Sequence, residues 1–151
     1  MNGFLMFDDY IIVMRRFRFL DHTGDLAVEV YGKNLPDLFE NAGVALFHVV
    51  TDPSRVEERE QKEVSLTYED LETLMVDWLG ELLYFHDVER LLFRRFGVRI
   101  IGDGRFEGSA RGEVFDEGRH VIRTEIKAVT FHQIEVREDK GRWRARVVLD
   151  L

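Results

Sequence analysis

The sequence predicts an α+β fold: a single domain with a mainly antiparallel β-sheet and two amphipathic helices packed on one face. Three observations predict it. Two stretches in the first ninety residues carry apolar side chains at helical spacing, strand-like alternation lies on both sides of them, and the strands after Leu91 are separated by short glycine-containing turns. At 151 residues, 45% of them hydrophobic and only 2 of them proline, the chain is long enough to bury one core. Its 12 phenylalanines make that core aromatic.

Arg15 to Leu20 alternates basic and apolar residues, as a half-buried strand does. A polar loop follows, Leu20-Asp21-His22-Thr23-Gly24-Asp25, which on its own also reads as an ordinary turn. Beyond it, Leu26, Val28 and Val30 point one way and Ala27, Glu29 and Tyr31 the other. That parity puts Asp25 on the side away from the core.

Asn34 is the N-cap of the first helix, with Asp37 three residues on and Pro36 in the tolerated first turn. Leu35, Leu38, Phe39, Ala42, Leu46, Val49 and Val50 form its apolar stripe to about Thr51, and Pro53 prevents continuation. His48 lies off the stripe and reads as a surface residue. A charged connector from Arg55 to Gln61 leads to a short strand, Glu63 to Thr67, and then to a second helix from Asp70 to about His86. Trp78, Tyr84 and His86 on this helix read as core positions in preference to a cofactor box.

The pattern then becomes β. Phe96 to Ile101 and Arg105 to Val114 flank the hairpin signal Gly102-Asp103-Gly104. His120 to Ile126, Thr130 to Arg137 and Arg142 to Leu151 read as three further strands.

The 29 acidic against 21 basic residues give a net charge of −8, which argues against a whole surface devoted to nucleic acid. The absence of cysteine excludes disulfides, thiolate metal sites and cysteine nucleophiles, so any metal must be held by oxygen or imidazole. Residues 1–14 form an N-terminal extension ahead of a domain at 15–151, with Met14 as an alternative start. The extension lacks a basic n-region and Asp8-Asp9 interrupts its apolar run, so it does not read as a signal peptide. With no membrane span either, a cytoplasmic protein is expected.

The last strand is the informative one. Trp143, Ala145, Val147, Leu149 and Leu151 share one face, while Arg142, Arg144, Arg146, Val148 and Asp150 share the other. Asp150 therefore lies on the polar side, followed by Leu151 and its main-chain carboxylate. Two carboxylates so close repel unless a cation joins them, and with Asp25 alongside they would suit a hard ion such as calcium. The arginines at 142, 144 and 146, like Arg94 and Arg95, read first as solvated strand faces and second as contacts for phosphate.

Several ordered stretches resemble the archease family from Phe17 to Leu151. They are Asp21-His22-Thr23-Gly24-Asp25, where the family usually has Ala for Gly24; Tyr31-Gly32 with Leu38-Phe39-Glu40-Asn41-Ala42; Val76-Asp77-Trp78-Leu79 with Glu81-Leu82-Leu83-Tyr84; Glu125 to His132, usually with Tyr for Phe131; and Val148-Leu149-Asp150-Leu151. The resemblance implies a non-catalytic activator of the GTP-dependent tRNA-splicing ligase, which promotes guanylylation of the ligase and its multiple turnover in tRNA splicing and RNA repair. It implies contact with tRNA only indirectly, through the ligase. It also implies a calcium ion, or another divalent cation, held by Asp25, Asp150 and Leu151. Asp21, His22 and His132 rank below these as supporting or partner-facing residues, and each also reads as an ordinary polar group near a strand end.

The lack of a glycine-rich phosphate loop, of a His/Glu helix motif and of a spaced Ser/His/Asp set agrees with a protein that has no catalysis of its own. Two rival readings stand beside this one. The first is a metal-dependent hydrolase of a small phosphorylated substrate, with His22 or His132 as base. The second is a general chaperone-like module for RNA-processing proteins.

Overall fold

Phe17 to Asp150 is built as seven strands and two α-helices. The structure, a computed structural model, describes residues 15–21 and 24–151, with Asp21 described by its backbone alone. The expected extension at 1–14 lies outside the described residues. In chain order the elements are β1 (Phe17–Asp21), β2 (Asp25–Gly32), α1 (Leu35–Val50), β3 (Glu60–Thr67), α2 (Leu71–Glu89), β4 (Leu91–Gly102), β5 (Arg105–Val114), β6 (Ala128–Asp139) and β7 (Arg142–Asp150). Every strand pairing is antiparallel. The strands divide between two sheets, β1-β2-β7-β6 and β3-β5-β4. The α+β expectation holds, and the division into two sheets is added to it. Alternation fixes which face a side chain takes, not which strand it pairs with.

Each helix touches both sheets. α1 packs mainly on β4 and β2, and α2 on β6 and β3. Between them lies an aromatic core in which Phe47 meets Phe93 edge-on at 5.4 Å and Trp78 meets Phe106 at 5.1 Å. The Trp78 indole N–H donates to the Phe39 carbonyl at 2.8 Å, tying α2 to α1 inside that core. Gly43 of α1 is needed for the fit, because a Cβ there would lie 2.7 Å from Cδ1 of the buried Phe96.

Local chemistry sets the element ends. The Asn34 side chain accepts the Asp37 N–H at 2.9 Å while the Asp37 carboxylate accepts the Lys33 N–H, the expected cap reached one residue further back. α2 starts from Asp70, whose carboxylate accepts the Thr73 N–H, and runs three residues past the expected end to a left-handed Arg90 (φ 60°). The β4–β5 hairpin turns on Asp103 and Gly104, both at positive φ, as Gly102-Asp103-Gly104 predicts.

Three expectations need correction. His120 to Ile126 is not a strand. Its polar groups are satisfied one at a time by separate elements: the Arg123 N–H donates to Val50 O and the Thr51 hydroxyl donates to Val121 O, while just beyond the segment the Lys127 N–H donates to Asp150 O. His48 is half-buried, not on the surface; its ring lies 5.2 Å from that of Phe17, and burial lowers its pKa. Tyr84 is exposed, whereas Trp78 is fully buried as expected.

A buried ionic cluster went unread in the sequence. Glu113 receives Arg119 Nη2 at 2.5 Å, the Glu57 N–H at 2.7 Å and His120 Nε2 at 3.0 Å. Burial by itself would raise the Glu113 pKa, but Arg119, the Glu57 amide and His120 outweigh it and bring it down to about 2. This cluster anchors the irregular segment after β5. No helix of the described residues is long and apolar enough to cross a membrane.

Candidate metal centre

The β2–β7 register brings the start of β2 against the end of β7. β2 begins at Asp25 and β7 ends at Asp150, and these two residues are direct antiparallel partners; Leu26 then faces Leu149 and Ala27 faces Val148. Directly opposed residues share a face, with Cβ atoms about 5 Å apart. The parity expected from sequence is therefore met, and direct opposition sharpens it. The face is less open than alternation alone implies, since its neighbours Ala27 and Val148 are buried.

β6 borders the pair on the other side: Ala128 is the partner of Asp150, and the Lys127 N–H donates to the Asp150 carbonyl at 2.7 Å. That bond holds the end of β7 in place, where a strand end would otherwise fray. Leu151 follows at once, with its side chain packed against the core.

Electrostatically the pair contrasts with its neighbour on the same face. Glu29 accepts Arg18 Nε at 2.9 Å and the Tyr31 hydroxyl at 2.8 Å, and Arg146 is its partner across β7. Burial raises the Glu29 pKa, but Tyr31 and Arg18 outweigh it and the net shift is downward. Among the described residues, neither Asp25 nor Asp150 has a cationic side chain as partner. Two opposed carboxylates are hard oxygen donors of the kind calcium takes, and calcium's remaining positions accept water and further oxygen donors. The donor set fits such an ion. Among the described residues no three His, Asp or Glu side chains gather into a site, here or elsewhere, so the pair supplies two side-chain ligands.

The other expected residues fall as follows. The Asp21 backbone faces Leu26 across β1–β2, but its side chain and all of His22 lie outside the described residues. Gly24 sits at φ +79°, in the left-handed region, so glycine serves the turn into β2 directly. His132 is exposed in a bulge of β6, where the four residues from Phe131 to Ile134 stand against the single Val147 of β7. The Thr130 hydroxyl holds that bulge, donating to Val148 O at 2.9 Å and accepting the His132 N–H at 3.2 Å. Phe131 beside it is 58% exposed. The arginine stripe of β7 does not act as a unit: Arg144 lies over the Tyr31 ring at 5.8 Å, while Arg146 faces Glu29 and Glu135.

Comparison with known proteins identifies the family and the fold. Residues 17–151 match the family described as the Archease protein family. The protein archease of Methanothermobacter thermautotrophicus is 47% identical over 141 residues, covering 91% of this chain and 100% of that protein. The solution structure of Methanobacterium thermoautotrophicum protein 1598 matches with a TM-score of 0.81 at 45% identity, covering 91% of this chain and 100% of that one. A crystal structure from Thermotoga maritima, described as an archease and possible chaperone, shares the fold at a TM-score of 0.60 and 23% identity, over 87% of this chain and 94% of that one. With a family match along residues 17–151 and relatives of this similarity, the chain belongs to the archease family.

Proposed function

We propose that the chain is a non-catalytic activator of the GTP-dependent tRNA-splicing RNA ligase, acting in the cytoplasm on the ligase and on tRNA only through it. In this reading Asp25, Asp150 and the carboxyl group of Leu151 hold a divalent cation, calcium in the first place, and the chain promotes guanylylation and multiple turnover of the ligase. The observation that carries the reading is the direct opposition of Asp25 and Asp150 across β2–β7. At about 5 Å and an effective dielectric near 20, two such charges repel by about 3 kcal/mol, reduced further by solvent at this half-exposed edge. A fold that holds them face to face is arranged for a positive guest. When bound, the cation supplies local positive charge and fixes the two strand ends.

The chain's own residues contribute position. The Lys127 amide fixes the end of β7, and the β6 bulge, opposite Val147 three residues along β7 from Asp150, offers Phe131 and His132 as exposed contacts. An exposed aromatic of this kind is the residue type enriched among interface anchors. The description of the Thermotoga protein as a possible chaperone supports a broader reading, binding of several client proteins.

The experiment is a ligation assay with limiting ligase, GTP and RNA ends. The activator reading predicts many ligations per ligase with the chain present, about one without it, and no turnover by the chain alone. Substrate turnover by the isolated chain would establish the hydrolase instead, and equal binding of unrelated proteins would establish the general chaperone.

A further inference from the structure

At the far end of β2–β7 from the acidic pair, the charge reverses. A recess of about 490 Å³ opens where β2 ends at Tyr31–Gly32 and β7 begins at Arg142. Six basic side chains line it: Arg15, Arg16, Lys33, Arg94, Arg95 and Arg142. Six residues of strand, at about 3.3 Å each, put this recess roughly 20 Å from Asp25. In a chain of net charge −8, such a concentration of cations in one concavity calls for a physical reason.

Neutralisation within the recess is only partial. Three carboxylates line it against the six cations, and Glu58 is paired with Arg95. Asp37 accepts the Lys33 N–H, Glu40 accepts the Val98 N–H at 2.9 Å, and Glu58 accepts Arg95 Nε at 2.9 Å and 3.0 Å. Among the described residues Arg15, Arg16 and Lys33 have no carboxylate partner, and Arg94 donates only to the Val56 carbonyl at 3.2 Å. The geometry is fixed nonetheless. The Tyr31 N–H donates to Arg16 O at 2.9 Å, which seats the basic entry segment against β2, and the register shift between Phe93 and Arg95 presents adjacent arginines from β4. The first turn of α1 adds the partial positive charge of a helix N-terminus at Lys33.

We propose that this recess binds a polyphosphate chain, carried by a nucleoside triphosphate or free. Guanidinium forks match phosphate oxygens in pairs, and several converging on one cavity suit two or three linked phosphates better than one. The two aromatic residues of the wall, Tyr31 and Phe96, are 5% and 8% exposed and leave no platform for stacking bases. Recognition therefore falls on the phosphates. An extended nucleic-acid strand would need a groove, where this is a single concavity.

The test is calorimetric titration of the full chain at low salt with inorganic tripolyphosphate and, separately, with GTP. We expect one-to-one binding, weakened at least tenfold in each of two independent variants, Arg15→Ala/Arg16→Ala and Lys33→Ala/Arg94→Ala. All four of these side chains are exposed, and the melting temperature of each variant checks that it folds. Asp25→Asn, at the other end of the strands, should bind as the parent does, so the outcome is separate from that of the cation site. Equal affinity for the two ligands identifies a free-polyphosphate site, and tighter GTP binding identifies the nucleotide as the source. No binding of either, binding unchanged in both variants, or binding only to single-stranded RNA or an acidic peptide would overturn the proposal.

Discussion

Replacing Asp150 by Asn keeps the size and hydrogen-bonding reach of the side chain and removes one charge from the opposed pair. In a chelating buffer the parent keeps the Asp25–Asp150 repulsion, at most about 3 kcal/mol for charges as close as opposed Cβ atoms at an effective dielectric of 20. Both residues are half-exposed, so mobile ions screen the pair and about 1 kcal/mol survives at physiological salt. Asp150→Asn should therefore be the more stable protein without metal, by about 1 kcal/mol or 2–4 °C in melting temperature for a domain of this size. Calcium reverses the order. At a hundred times its dissociation constant a ligand stabilises the folded parent by about 2.7 kcal/mol, and the variant should forgo most of that. Thermal unfolding of both proteins in chelator and in calcium measures all four states. A variant less stable than the parent in chelator that still gains the full calcium shift would refute the reasoning.

Other consequences concern the frame that holds the site. Glu113, with its pKa depressed from 4.5 to about 2, contributes stability that is complete above pH 4.5 and is lost as pH falls toward 2. The contribution is at most about 3 kcal/mol. Urea unfolding should show Glu113→Gln weaker than the parent at pH 7, with the two converging near pH 2. Gly43→Ala gains helix propensity but drives a methyl group into Phe96, whose ring is held by Phe47, Trp78 and Phe93, for a net loss of about 1–2 kcal/mol by chemical denaturation. Trp78→Phe removes the 2.8 Å bond to the Phe39 carbonyl, which keeps its helical partner within α1, and should cost about 0.5–1.5 kcal/mol by the same assay, beyond any loss of packing.

Asp25 and Asp150 were legible in the sequence because strand parity is local: each side chain's face follows from its neighbours in β2 and β7. Their opposition was not, because it depends on register between strands more than a hundred residues apart. The resemblance to a known family supplied that link. His120 to Ile126 shows the converse. Its alternation is real, with His120 and Ile126 buried and Val121 exposed, yet its backbone bonds go to Val50 and the Thr51 hydroxyl instead of a ladder. The β6 bulge that exposes Phe131 and His132 was illegible for a related reason. Four residues set against one break the period of two, and neither glycine nor proline marks the place. Glu113 was missed because a charged residue near the end of a strand reads as solvated until its partners, Arg119 and His120, are seen to fold back on it.

The central claim is that the acidic pair at the joined ends of β2 and β7 is what the ligase depends on. The number of RNA ligations completed per ligase, with limiting ligase and excess Asp25→Ala or Asp150→Ala variant confirmed to be folded, tests it most directly. The account predicts a fall from many ligations with the parent to about one with either variant. Near-normal multiple turnover with both would contradict it.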